Sequence, residues 1–412
     1  MTTPTLPPIS KMLSYSSGRV TPESGSIHQS SVFNLLTHLT QKQEIRHYGK
    51  MGRDILDLYR DYLLYGSEQT TATGLSKLLD GELSHDKITR FLSSELFDEK
   101  ALWKKVKKLV RAIEENDACL IFDDTVVEKP YMDENEIISW HYDSKEGKSV
   151  KGINLLSGFY SSEKAGQTVR LPVDYRIITK TEEYIDERSG EKKRRSPETK
   201  NEMMRQMIQR AIQNQVKFRH ILADAWFSSA ENMRFVSKKR KVFIFELKNN
   251  RLVTDSEKQR NLGAFERLDR AAIPEGRPVT VWIKDLEFPV ALFKQVFKNK
   301  DGTEGERFLV SNDLTMTDEQ FKTLYKKRWG VEEYHKSLKQ NASIGSSPAH
   351  TEMTQSNHVF ASILAYVKLE KLKLATSLNH FALKTKIYIA SMKTAMLVFQ
   401  ELWKNTQNLS FA

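Results

Sequence analysis

The segment YKKRWGVEEYHKSLK, residues 325–339, sets an acid among cations. Read as a helix at 3.6 residues per turn, it places Tyr325, Arg328, Glu332 and Lys339 within an arc of about 60°. Lys336 joins that arc. Leu324, Val331 and Leu338 form a neighbouring apolar stripe able to pack on a sheet. One face is therefore core, and the next gathers a carboxylate with several cations. That grouping suits a place where a metal ion and phosphates meet: the acid holds the metal, and Arg and Lys hold the phosphates. A solvated helix laced with i,i+4 ion pairs would carry similar charges. Tyr325 and Trp329 argue against it, because exposed charged helices seldom interleave aromatics in this way.

Two upstream segments end a short apolar run in acid, as buried strands with a ligand at their tip do. ACLIFDD (118–124) offers Asp123 and Asp124, and RHILAD (219–224) offers Asp224. Taken singly, either acid reads as a turn or helix-cap residue. Three acids in order, on two strand ends and a helix, shift the balance toward a shared site.

The spacing Tyr325-x2-Arg328-x3-Glu332-x6-Lys339 resembles the Tyr-Arg-Glu-Lys signature of bacterial insertion-sequence DDE transposases of the cut-and-paste class, and RWGVEEYHKSLK is similar to that family's segment throughout. The resemblance covers about residues 118–375. It implies a ribonuclease H-like sheet with the first acid ending its first strand. The family acid commonly precedes Thr, which selects Asp124 in IFDDT, with Asp123 as the alternative. The second acid, ending the fourth strand, is Asp224 in ILADAWFSS. Asp124, Asp224 and Glu332 would then be both catalytic residues and metal ligands, holding two Mg²⁺ ions, with Mn²⁺ able to substitute. Two ions about 3.5–4 Å apart suit in-line displacement at phosphorus, and hard oxygen ligands suit these metals. The substrates implied are double-stranded DNA at the element's terminal inverted repeats and target DNA. Water would cut at the transposon end, the freed 3′-OH would form and resolve a hairpin, and the same 3′-OH would join target DNA. Tyr325, Arg328, Lys336 and Lys339 would hold the DNA backbone. Relatives stack a flipped base on an aromatic late in a β-rich insertion, which points to Phe308 in RFLVSND, with Trp282 as an alternative. A homodimer is implied in the synaptic complex, since both ends must be joined. A ribonuclease H-like nuclease that cuts without strand transfer, and a domesticated DNA-binding regulator, are the competing readings.

The elements that must position these residues are legible in outline. The expected architecture is α/β: a ribonuclease H-like mixed sheet flanked by helices, interrupted by a β-rich insertion, with an N-terminal helical DNA-binding region and C-terminal helices. Residues 1–30, rich in Ser, Thr and Pro, read as a loosely ordered tail, and residues 31–115 read as helical. Within them GLSKLLDGELSHDKITRFLSS (74–94) resembles a helix-turn-helix. Leu75, Leu78 and Leu79 lie on its first helix, Gly81 makes the turn, and Ser84 caps a second helix that turns Lys87 and Arg90 toward solvent. Residues 116–240 would be the first part of the catalytic core, 241–312 the β-rich insertion and 313–375 the second part. EKKRRSPETK (191–200) reads as a basic polar loop. In 376–412, Ile389, Met392, Met396, Phe399 and Trp403 follow a 3-4-3-4 spacing that either pairs two chains or packs on the chain's own core.

Composition agrees with a polyanionic partner. Of the 412 residues, 64 are Lys or Arg and 53 Asp or Glu, leaving a net charge of +11. Cys119 is the only cysteine, which rules out an intrachain disulfide and a cysteine-based zinc site. No run approaches the roughly 18–20 apolar residues of a bilayer span, and the first residues lack a signal-peptide core. The expectation is a soluble bacterial cytoplasmic protein, nucleoid-associated when bound, with no membrane role.

Overall fold

The computed structural model describes residues 54–407 apart from 67–68, 144–146, 165, 188 and 300. The expected tail, and the start of the expected helical region, lie outside the described residues.

Four helices come first: α1 (Ile55–Tyr65), α2 (Ala72–Leu78), α3 (His85–Ser94) and α4 (Glu99–Ile113). Each begins at a side-chain cap. Asp54, Thr71, Ser84 and Asp98 accept hydrogen bonds from main-chain N–H groups of the first turn. Gly81 sits at φ 78° in the turn between α2 and α3, a conformation glycine adopts without strain. Ile88 and Leu92 face inward from α3, whereas Lys87 and Arg90 are exposed. Leu78 lies on α2 as expected, at its last residue. It is 53% exposed, because α2 is short and only Leu75 and Leu79 reach the core.

The sheet begins with β1 (Cys119–Glu128), β2 (Ile138–Asp143), β3 (Lys148–Lys164) and β4 (Gln167–Ile177). β1 runs antiparallel to β3, and the long β3 pairs on its other edge with β2 and then β4. The expected loop at 191–200 is in part a hairpin, β5 (Glu182–Ile185) with β6 (Lys192–Arg195). Its lysines and arginines are balanced by acids: Lys192 meets Glu183 at 2.6 Å and Arg195 meets Glu182 at 3.1 Å. Cross-strand charge pairing of this kind lets a polar segment become a strand.

After α5 (Lys200–Gln213) come β7 (His220–Ala223), α6 (Ala230–Lys238) and β8 (Val242–Leu247). β7 runs parallel to β1, and β8 parallel to β7. The order β4–β3–β1–β7–β8 is that of a ribonuclease H-like sheet, flanked by helices. Later strands extend the same sheet through β13 (Glu304–Ser311), β12 (Val290–Lys298), β11 (Val279–Ile283), β9 (Leu252–Thr254) and β10 (Glu266–Arg267). A five-residue helix, α7 (Glu257–Asn261), interrupts them. The strand-rich stretch beginning at 241 therefore starts with a core strand, and no gap in the hydrogen bonding separates the two parts.

The segment 325–339, expected as one helix, is divided between two: α8 (Asp318–Lys326) and α9 (Trp329–Asn341). At the joint the main chain tightens. Lys327, Arg328, Gly330 and Val331 donate to carbonyls three residues back, those of Leu324, Tyr325, Lys327 and Arg328. Bonds of this 3₁₀ type shift the phase of α9 relative to α8. A Cβ at Gly330 would stand 2.6 Å from Arg170 Nε, so a side chain there would have to displace the guanidinium that pairs with Glu333.

Last come α10 (Glu352–Thr376) and α11 (His380–Gln407). α10 is buried on nearly all sides, packed among α1, α3, β4 and α9. Among the described residues, no helix is long and apolar enough to cross a membrane.

Candidate active site

β1 lies between two helical layers, and its alternation assigns the two acids of IFDDT to opposite faces. Phe122, opposite Gly158, faces α5: a Cβ on Gly158 would meet Met207 at 3.2 Å and Phe122 at 3.3 Å. The other face carries Phe159, stacked on Tyr334 of α9 with centroids 4.7 Å apart. Asp123 points to the α9 side and Asp124 to the α5 side. Contacts agree. Asp123 Oδ2 is 3.7 Å from Arg328 Nη1, while Asp124 Oδ2 accepts from Lys200 Nζ at 2.7 Å.

Arg328 is buried at the joint between α8 and α9 and reaches two acids. Its Nη2 donates to Glu332 Oε1 at 3.0 Å, while Nη1 faces Asp123. Asp224 stands just past the end of β7, where its Oδ1 accepts from the Trp226 main-chain N–H at 2.9 Å. Parallel pairing of β7 with β1 brings it beside the first acids. Burial, aided by Asp224 and Asp124 and opposed by Arg328 and the Asp124 main-chain N–H, pushes the Asp123 carboxyl up to about 7. Burial also raises Asp224, aided by Asp124 and Glu246 and opposed by the Trp226 N–H and Arg328. Both carboxyls are thereby harder to ionise, and a bound cation would act in the opposite sense.

The structure thus brings Asp123, Glu332 and Arg328 together, with Asp224 and Asp124 as electrostatic neighbours. Among the described residues, no three acids, histidines or cysteines form a ready metal cage. The donors are hard oxygens of the kind that magnesium or manganese takes, but Arg328 pairs with Asp123 and Glu332, and Lys200 with Asp124.

Other expected residues fall elsewhere. Tyr325 is buried with its hydroxyl donating to Glu246 at 2.7 Å, so in this state it does not offer that group to a phosphate. Its ring lies 5.5 Å from the guanidinium of Arg328, the group that pairs with Glu332. Lys336 and Lys339 share the Glu332 face of α9 and are exposed, with Lys336 Nζ 5.1 Å above the Phe381 ring. Phe308 is 1% exposed, buried in β13 between β8 and β12, and cannot present its ring to a base. Trp282 is half-buried beneath Arg260, 4.6 Å from the ring centroid. Lys87 and Arg90 stay on the outer face of α3.

Lys200, Glu246 and Trp226 were not expected. Glu246 had a signal: KVFIFEL is another apolar run carrying an acid near its end, like those at Asp123 and Asp224. Lys200 had none, since its role depends on how the start of α5 meets β1.

A mixed sheet with acids midway along one central strand and just past the end of its parallel neighbour, faced by a helix that bears a third acid among cations, is the framework of a ribonuclease H-like nucleic-acid-cleaving enzyme. A family model described as DDE superfamily endonuclease matches residues 34–262, more than half of the chain, and the chain belongs to that family. A model described as transposase DDE domain matches residues 198–368, which include Asp224 and Glu332. No curated protein matches the sequence.

Proposed function

We propose that the protein is a cut-and-paste transposase that binds the terminal inverted repeats of its element, cuts DNA at the ends through hairpin intermediates and joins the 3′-OH ends to target DNA. The observation that carries this reading is the shared guanidinium: Arg328 bridges an acid on β1 and Glu332 on α9, beside Asp224. Distant segments converge where phosphodiester chemistry needs carboxylates and cations together.

Asp224, Glu332 and one acid of β1 would hold the divalent ions, Mg²⁺ or Mn²⁺. The resemblance selects Asp124, but Asp123 is the acid that faces Arg328 and Glu332, and we assign the role to Asp123. Bound there, the metal supplies an activated water and stabilises the leaving oxygen. Arg328 screens the two carboxylates from each other by pairing with both. Lys336 and Lys339 extend the cationic face of α9 along a DNA backbone. Lys87 and Arg90 on α3 offer a second contact surface, in the manner of a recognition helix. The exposed apolar run on α11 would pair two chains in the synaptic complex.

Replacing Glu332 with Gln should abolish metal-dependent cleavage while end binding persists. Groups that merely orient metal ligands cost about 10–100-fold when lost, so loss of a ligand should exceed about a hundredfold. Cleavage at the wild-type rate in that variant would refute the assignment. Strand transfer from precut ends separates a transposase from a nuclease that only cuts.

A further inference from the structure

Glu370 of α10 is 1% exposed, and it gathers partners from β4, α11 and α10 itself. Its Oε1 accepts from the Arg170 main-chain N–H at 2.8 Å and from Lys373 Nζ. Its Oε2 stands 2.8 Å from Nε2 of His380, the first residue of α11. Burial pushes the carboxyl up, but His380 and Lys373 outweigh it and hold Glu370 below its ordinary value. The other ring nitrogen of His380, Nδ1, lies 2.9 Å from Ser337 Oγ of α9, which also accepts from Asn341 Nδ2 at 3.1 Å. The Arg170 guanidinium reaches the same helix at Glu333. One buried carboxylate is thus joined through two residues to the helix that carries Glu332.

We propose that His380 is a positioning residue: from the start of α11 it locks the rotation of α9 and so fixes where the Glu332 carboxylate stands. This rests on the proposed function and deepens it. The apolar contacts of α9 leave it some freedom. Tyr334 stacks on Phe159 and meets Tyr366 edge-on, and Tyr366 meets the His380 ring edge-on at 4.8 Å. Apolar burial is non-directional and tolerates a small turn of a helix about its axis, whereas a hydrogen bond at 2.9 Å does not. Ser337 lies about 7.5 Å along the axis from Glu332 at 1.5 Å per residue, so a turn of α9 that breaks the Ser337 bond also displaces Glu332. A buried ion pair adds little net stability over apolar groups of the same volume. What this one adds is a single setting of α9, α10 and α11 relative to one another.

The test compares the wild type with H380F, S337A and H380N. Phe fills the volume of the ring without its polar contacts, whereas Asn sets an amide atom where Nδ1 stands and keeps the bond to Ser337. S337A deletes one oxygen and keeps the test open should H380F not fold. Two quantities are measured: hydrogen-exchange protection over residues 329–341 without DNA or metal, and the Mg²⁺ dependence of single-turnover cleavage of end DNA. In H380F and S337A, protection should be lost and half-maximal cleavage should need about tenfold more Mg²⁺, with the rate at saturating metal retained. H380N should match the wild type in both. Equal protection in all four proteins, an unchanged Mg²⁺ requirement in S337A, or an H380N variant as impaired as H380F would overturn the positioning role. Absence of cleavage by the wild type would count against the proposed function, whereas protection of α9 reports on His380 alone.

Discussion

Arg328 decides how the acids of the site are shared. Burying a guanidinium costs energy unless it is paired, and Arg328 meets that cost with Glu332 and Asp123. Adjacent residues of a strand point to opposite faces, so only one acid of IFDDT can share this partner. The expectation is unequal. D123N should lower metal-dependent cleavage by more than about a hundredfold. D124N should cost less, since Asp124 faces Lys200 on the other side of β1. Single-turnover cleavage of end DNA by the two variants measures this, and a more severe loss in D124N would return the ligand role to Asp124. At this scale the sequence was readable where chemistry is local. The acids of IFDDT, ILAD and RWGVEE each stand out from their own segment. Choosing between Asp123 and Asp124 was not local, because it depends on which helix covers which face of the sheet. Lys200 was hidden for the same reason.

At the scale of elements, α10 packs between the helical region and the catalytic sheet, and His358 is one of its polar ties, beside Asn357, which bonds the main chain of Leu92, Glu95 and Phe97. The buried imidazole bonds the Tyr59 hydroxyl of α1 through Nδ1 at 2.9 Å and the Ser343 carbonyl through Nε2 at 2.9 Å. A carbonyl only accepts, so Nε2 carries the proton and Nδ1 accepts from Tyr59. Burial, with Lys129 nearby, pushes His358 down to about 4. The unfolded chain thus takes up a proton before the folded one does. The stability this group contributes is complete above pH 6.5 and is lost as pH falls through 4, amounting to about 3 kcal/mol. Thermal melts between pH 7 and 4 should show a steep loss in the wild type and a shallower one in H358Q. His141, pushed down to about 3 mainly by burial, would leave some slope behind. Parallel curves for the two proteins would remove His358 from this role. The tie had no sequence signal, because Tyr59 lies 299 residues from His358 along the chain. β1 and β7 were legible as apolar runs ending in acid. β8 was legible as a strand, but periodicity does not name a strand's neighbour, and it joins the core sheet rather than a separate insertion. The joint between α8 and α9 was invisible because the apolar pattern runs through it unbroken.

For the whole molecule, assembly turns on α11. Its start is anchored: Leu383 is 6% exposed, and Lys384 Nζ donates to the Leu64 carbonyl of α1. Beyond that, Ile389, Met392, Met396 and Phe399 are 48%, 46%, 58% and 67% exposed. Packing on the chain's own core, the alternative for this seam, holds only for the first turns. A net charge of +11 opposes self-association of the free protein and favours it on DNA. The exposed part of the helix is only about 25 Å long at 1.5 Å per residue, short for a coiled coil standing alone. Two chains held on adjacent DNA ends, however, meet at a high effective concentration. The full-length protein should therefore be largely monomeric alone and dimeric with end DNA, by light scattering at equal concentration. Removing residues 388–412 spares the anchored turns, so the fold and single-end cleavage should survive while DNA-bound dimers and joined products disappear. Introducing charge by the pair I389D and M396D should do the same without shortening the chain. If either variant still pairs two ends at the wild-type concentration, the seam on α11 does not hold the complex together, and the contact between chains must lie on the catalytic domain or on the DNA itself.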